Sequence, residues 1–389
     1  MQKQFILFVA LGLLLAGCQV YQPALKTACA NCPTENGSYE HAEELKPLFE
    51  ALLAQGVPGI AVAIHGPNQT WEYATGLAKI EDASPMTTGH LHYLQSIAKT
   101  YLAVAVLKLY EQGKIDLEAP ITRYLSENEI QHITRASEMT VRMLLNHTSG
   151  MPEYNAVPAY VAQLLQHPER TFTAQDFLEL ISGKPLMFEP GSRYVYCNMN
   201  YEVLALIADS ITGDHARFIT EQIFEPLQLK ATFYRNETGY LTYHRLYNAY
   251  WDRYSDGILE NVSLGQRTNV STMIGDDGIV STPLDAVRFL EGLVENELLK
   301  PETLELMHEG FINTEGRVEY GLGLDHALFA KQPAIGHSGG GLGAGCQLYY
   351  LPHNNTYFFL GINLGTVTSG PIQKKAEPLL TKIHNIIAQ

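Results

Sequence analysis

Cysteine, tryptophan and basic residues are scarce in this chain, and long hydrophobic runs are nearly absent. Five cysteines in 389 residues cannot staple a fold of this size, so a hydrophobic core must hold it. Lys and Arg number 26 against 41 Asp and Glu, a formal charge of -15, which leaves no electrostatic footprint for nucleic acid. The one sizeable apolar run, 5–16, covers 12 residues and is too short to span about 30 Å of hydrocarbon as a mature helix. Neither H-E-x-x-H nor H-x-H-x-D occurs among the 14 histidines, so His90, His92 and the others read as scattered core or surface residues, and no metal or cofactor is expected. There is no internal repeat. What is present is 46% hydrophobic and 17% charged residues, enough apolar surface to bury a core and to exclude a largely disordered chain. The length calls for one large mixed domain or two lobes.

The N-terminus stands apart from the fold. Lys3 followed by the apolar run reads as a signal peptide over 1–17. The run ends in Leu15, Ala16, Gly17 and Cys18, which resembles the bacterial lipobox. That resemblance implies lipidation of Cys18 and a membrane anchor made of acyl chains, at roughly 0.8 kcal/mol per buried methylene. Gln19 in place of Asp then implies sorting to the outer membrane, facing the periplasm. Residues 18–39, with Pro23, Asn31, Pro33, Asn36 and Gly37, carry no periodic pattern and read as a tether. Cys29 and Cys32 could close a small disulfide loop in an oxidising compartment, whereas one Cys pair without a second is weak as a zinc site.

Past the tether the pattern predicts a helix over 41–55, then strands over 57–65 and 70–80 across a turn at Gly66, Pro67 and Asn68. Ala98, Leu102, Val106 and Leu109 recur at helical spacing within 96–112, with Gly113 as a stop. Helices follow at 141–146, 174–181, 201–211 and 283–294. Strands return at 320–329, 334–338, 347–351 and 357–363, and 374–387 closes as a helix. Strands at both ends around a helical middle predict an α+β fold: one antiparallel sheet built from N- and C-terminal strands with flanking helices, and an inserted mainly helical lobe. The sheet lobe would take in about 40–90 and 315–389, the helical lobe about 91–314, within one domain over 40–389.

Three short motifs carry chemistry. Ser96 and Lys99 form S-x-x-K at a predicted helix start, one turn apart on one face, which suits a nucleophile and its base. The ordinary reading is a helix cap and a solvated lysine. Tyr196, Cys197 and Asn198 form Y-x-N after Glu189, Pro190 and Gly191; the phenol can relay a proton and the amide can bind a substrate carbonyl. Tyr234, Arg235 and Asn236 share the spacing without the Pro-Gly lead-in. His337, Ser338 and Gly339, followed by Gly340 and Gly341, form H-x-G on a predicted strand, where glycines let a substrate approach and leave amides free for an oxyanion. His308, Glu309 and Gly310 repeat that spacing in a polar helical context. A dinucleotide loop through Gly339, Gly341 and Ala344 fails, because no Asp or Glu follows between Asp325 and Glu377 to bind a ribose.

In this order S-x-x-K, Y-x-N and H-x-G resemble the serine β-lactamase and penicillin-binding-protein superfamily, in its branch of class C β-lactamases, D-Ala-D-Ala carboxypeptidases and related esterases. The stretches 144–152 (LLNHTSGMP), 189–192 (EPGS), 277–282 (DGIVST) and 320–324 (YGLGL) are similar to that family too, and the resemblance covers about 40–385. It implies an acyl-enzyme on Ser96, with Lys99 and Tyr196 sharing base and acid roles and the backbone N–H groups of Ser96 and Gly340 forming the oxyanion hole. Asn198, His337, Ser338 and Gly339 would bind substrate, a small molecule or peptide such as acyl-D-Ala-D-Ala, a β-lactam or an ester. His337 stands where β-lactamases usually carry lysine, so its pull on a substrate carboxylate would depend on pH. That favours carboxypeptidase-like or esterase-like hydrolysis over β-lactam turnover. A true class C-like β-lactamase, a metalloenzyme, and an inactive peptidoglycan-binding module are the competing readings.

Overall fold

The computed structural model describes residues 34–234, 245–272 and 274–389. Cys18, Cys29, Cys32 and most of the expected tether lie outside the described residues, as does Arg235–Asn236 of the second Y-x-N triplet. Among the described residues no helix is long and apolar enough to cross a membrane.

The expected sheet forms from both ends of the chain. Its strand order is Glu35–Gly37, Gln69–Lys79, Gly59–Gly66, Thr356–Ile362, Gly345–Leu351, Gln332–Gly340 and Asp325–Phe329, antiparallel throughout. The seam between the two ends sets Val62 opposite Leu360 and Ile64 opposite Phe358. Alternation explains why both strands are apolar at nearly every position. Ile60, Val62 and Ile64, with Phe358 and Leu360, face the layer made by helices Ala42–Ala54 and Pro371–Ile387. Ala63, Tyr357 and Phe359 face the other core, which contains Ala98–Glu111 and Pro283–Val294. Each large apolar side chain so buried stabilises the fold by roughly 1.5–3 kcal/mol.

Helix Ala98–Glu111 runs through the middle and is buried on almost every side. A helix apolar all round belongs inside a protein. The expected helix over 96–112 begins differently: Gln95–Ile97 is a 3-10 turn, and Ser96 makes no capping bond. The expected strand over 320–329 is also shortened to Asp325–Phe329. Tyr320–Leu324 is instead a tight turn, in which Gly323 has φ +84 and a Cβ there would stand 2.2 Å from that of Ala103. The inserted region is mostly helical but carries short strand pairs, His92–Tyr93 with Val280–Ser281 and Tyr250–Trp251 with Glu260–Asn261.

Candidate active site

Ser96 sits on the turn between His92–Tyr93 and the central helix, half-buried, after a residue in strained backbone: Gln95 has φ 51. Such strain persists only where surroundings enforce it. Here Leu94 N–H donates to Ile279 O at 3.0 Å, and the Cys346 thiol donates to Leu94 O at 3.2 Å. Gly339 lies against the same turn. A Cβ on it would come within 2.4 Å of Leu94 O and 2.8 Å of Gln95 Cβ. The H-x-G glycine is thus a packing requirement that lets the strand Gln332–Gly340 reach the serine turn.

One helical turn on, Lys99 is wholly buried, and its Nζ donates to Ser96 Oγ at 2.9 Å and to Asp276 O at 2.8 Å. Burial pushes the Lys99 ammonium below its usual range, against the pull of Asp276, Asp277, Glu153 and Glu202. A buried amine with a lowered pKa, bonded to a hydroxyl, can take that hydroxyl's proton. The Tyr196 hydroxyl is buried and faces Ser96, without a hydrogen bond of strict geometry. Burial raises its pKa well above the ordinary phenol value, and Asp276, Glu153 and Asp325 push the same way, so Tyr196 is held protonated. Lys99 Nζ lies 5.2 Å from the centre of the Tyr196 ring.

Asn198 starts helix Met199–Thr212, and its side chain makes no capping bond. Its backbone N–H donates to Glu153 Oε2 at 2.6 Å, which fixes the turn while the amide lines the cavity. Cys197 turns away, its Sγ against Met151 O at 3.4 Å. A cavity of about 580 Å³ opens over Ser96, lined among others by Tyr196, Asn198, Asp276, Asp277, Gly340 and Gly341. Gly340, expected in the oxyanion hole, is exposed and lines the cavity together with Ser96.

His337, Ser338 and Gly339, expected to bind substrate, are not among the residues that line the cavity. His337 is buried; Nδ1–H donates to Ser338 O at 2.6 Å, which leaves Nε2 to accept the Tyr320 hydroxyl at 2.9 Å. Burial, then repulsion from Lys99, holds the imidazole down to about 3. Burial and the two hydrogen bonds favour the neutral ring. Ser338 points out of the sheet to the exposed side, and Gly339 is closed under Leu94.

Several residues that the motifs missed complete the site. Tyr154 donates to Asp276 Oδ2 at 2.9 Å. Glu202, wholly buried beside Asp276, has its carboxyl raised well above the usual range by burial and by that neighbour. His147, with φ 57, accepts the Cys197 N–H at 3.3 Å and an Asn200 Nδ2–H at 3.1 Å, so it pins the Tyr196 turn. His147 and Asp277 lie in the family-like stretches 144–152 and 277–282, which located them without giving them a task. Among the described residues no group of His, Cys, Asp and Glu could hold a metal ion.

Comparison with known proteins agrees with this geometry. The family model described as Beta-lactamase matches residues 45–375. A penicillin-binding protein of Bacillus subtilis (strain 168) is 26% identical over 332 residues, 82% of this chain and 71% of that one. A putative D-alanyl-D-alanine carboxypeptidase of Escherichia coli (strain K12) is 28% identical over 242 residues, so the match takes in 58% of this chain and about half, 54%, of the relative. In fold, a D-stereospecific amidohydrolase from Streptomyces sp. superposes with a TM-score of 0.75 at 24% identity, over 87% of this chain and 98% of that one. A D-amino acid amidase from Ochrobactrum anthropi SV3 also gives 0.75, at 23% identity over 89% and 97%. Fold, family match and curated relatives converge on a serine hydrolase: the chain belongs to the β-lactamase family.

Proposed function

We propose that the protein hydrolyses amide or ester bonds through a covalent acyl-enzyme on Ser96. The observation that carries this is the 2.9 Å bond between Lys99 Nζ and Ser96 Oγ, made by a lysine with no solvent exposure and a lowered pKa. In the reading, neutral Lys99 takes the Ser96 proton as Oγ bonds to the substrate carbonyl carbon, a base contribution of about 10²–10⁴ in rate. The backbone N–H groups of Ser96 and Gly340 hold the resulting oxyanion. The carbon–nitrogen or carbon–oxygen bond then breaks, and the leaving amine or alcohol takes a proton through Tyr196, which is recharged from Lys99. Water, deprotonated by the same pair, releases the acid and restores Ser96. Asn198 holds an amide of the substrate.

Relatives named as D-alanyl-D-alanine carboxypeptidase and D-amino acid amidase favour D-configured amino-acid derivatives or peptides as substrates. The lipobox-like segment adds that the enzyme acts at the bacterial envelope, held by acyl chains on Cys18. Intact-mass analysis tests the mechanism: the protein is mixed with a penicillin, a D-Ala-D-Ala peptide and a p-nitrophenyl ester, and the adduct is mapped. Ser96 should carry it, and Ser96→Ala should carry none. An adduct on any other residue sinks the assignment.

A further inference from the structure

Beyond its bond to Ser96, Lys99 is held by the carbonyl of Asp276, which accepts its Nζ at 2.8 Å. The segment that carries this carbonyl is laid across the start of helix Met199–Thr212. Gly275 comes so close that a Cβ on it would stand 2.0 Å from Tyr201 O. Ile274 N–H donates to Glu202 Oε1 at 3.4 Å, and the Glu202 carboxyl meets that of Asp276 in a side-chain hydrogen bond. Tyr154 O–H donates to Asp276 Oδ2 at 2.9 Å.

Two carboxyl groups thus touch in a dry place, for Glu202 is 0% exposed and Asp276 4%. Glu202 Oε2 and Asp276 Oδ1 are both buried, and no amide or hydroxyl of the described residues donates to either in good geometry. Two anions side by side are strongly disfavoured here, whereas one hydrogen shared between these oxygens removes the repulsion and satisfies both. Burial and the neighbouring Asp276 hold the Glu202 carboxyl well above its usual range, in keeping with that arrangement. Lys99, Tyr154, Tyr160, Glu153 and Asp277 surround the pair, and Lys99 is the one cation of that set. A second full anion would favour the Lys99 ammonium and disarm the base, while a single one steadies the ammonium that forms when Lys99 takes the Ser96 proton.

We propose that Glu202 is a positioning residue of the hydrolase: it carries the hydrogen that binds it to Asp276, and so holds in place the carbonyl that aims Lys99 at Ser96 while leaving the pair with one negative charge. This rests on the reading of Lys99 as the base and deepens it.

Acylation of Ser96 by p-nitrophenyl propionate, followed as p-nitrophenolate release across pH, is compared in the unaltered protein, Glu202→Gln and Glu202→Val. Valine leaves Asp276 unbraced, so acylation should slow by about tenfold to a hundredfold. Glutamine can accept Ile274 N–H and donate to Asp276 Oδ1 as the protonated acid does. It should recover the rate to within about threefold of the unaltered protein, with the acid limb of the profile in place. Infrared difference spectra between the unaltered protein and Glu202→Gln at pH 7 should leave a protonated-carboxyl band belonging to the former. A limb moved to lower pH in Glu202→Gln reveals an ionised Glu202 and overturns this inference. So do a glutamine variant no faster than valine, a valine variant as fast as the unaltered protein, or a missing infrared band. Should Glu202→Val fail to fold, the glutamine profile and the band decide. No acyl-Ser96 from the ester in the unaltered protein overturns the hydrolase reading and this role within it, whereas normal acylation there with a failed glutamine rescue overturns the role alone.

Discussion

Replacing His337 by glutamine distinguishes a sealed imidazole from one that reads substrate. In the fold the ring is neutral, bonded at both nitrogens, and held to about 3. In the unfolded chain the same ring takes a proton near about 6.5. The unfolded state therefore binds the extra proton first. It follows that the stability His337 contributes is complete above pH 6.5 and is lost as the pH falls from there toward about 3. The slope is about 1.4 kcal/mol per pH unit, so roughly 2 kcal/mol has gone by pH 5. Glutamine binds no proton, and its side-chain oxygen can still accept the Tyr320 hydroxyl. At pH 7.5 His337→Gln should be less stable by about 1–2 kcal/mol, from the imperfect hydrogen bonds. At pH 5 that deficit should have closed or reversed. Urea unfolding of both proteins at pH 5, 6 and 7.5 measures the gap directly. A gap that does not change with pH would mean that His337 titrates as a solvated histidine, and the account of its burial would fail. The same reasoning predicts that the ratio of acylation rates for carboxylate and neutral substrates owes no pH dependence between 6 and 8 to His337.

Three further outcomes follow from the site. The kcat/KM of ester hydrolysis should fall with decreasing pH through the lowered Lys99 pKa, on a limb below the 10.5 of an ordinary lysine, and Lys99→Ala should lose about 10²–10⁴ in acylation and the limb with it; a variant with the unaltered pH–rate profile contradicts the base assignment. Gly339→Ala should cost about 1–3 kcal/mol in thermal or urea unfolding and about 10² in kcat/KM, because its Cβ must displace Leu94 O from 2.4 Å and Cys346 Sγ from 2.8 Å; unchanged stability and rate would show that the serine turn does not depend on this close approach. Cys18→Ser should abolish fatty-acid labelling and release the protein from membranes, and membrane association that survives in the variant would remove the anchor reading.

The sheet was legible because its central strands are apolar at both parities and bounded by Gly, Pro and Asn, so their existence hardly depended on context. Their ends did depend on it. Gly339 and Gly340 join the strand by pairing with Cys346 and Gly345, which no propensity scale favours, and Tyr320–Leu324 leaves it because a turn there must clear Ala103. Ser96, Lys99, Tyr196 and Asn198 were found by spacing and order, and they converge in space. The burial of His337 was not legible, because strand alternation says which face a residue takes but not what covers that face. Tyr320, its cover, was visible only as part of a family-like string. Asp277 and His147 were equally hidden: the fold sets Asp277 where its charge pulls on the Lys99 ammonium, and His147 where it accepts the Cys197 amide.

The seam that joins Gly59–Gly66 to Thr356–Ile362 also governs when the enzyme can exist. His65 pairs with Tyr357, a closure over roughly 300 residues, and such pairings are slow to form because the intervening loop must be closed before the contacts reward it. Until the last strand arrives, Gly59–Gly66 offers a bare hydrogen-bonding edge with apolar side chains on both faces, a template for pairing with other chains. Every residue assigned to the chemistry precedes Gly341. A protease that removed the chain beyond Leu351 would touch none of them, yet it would strip the strand that holds the two halves of the sheet together, so the C-terminal segment acts as the keystone that turns a catalytic sequence into a catalyst.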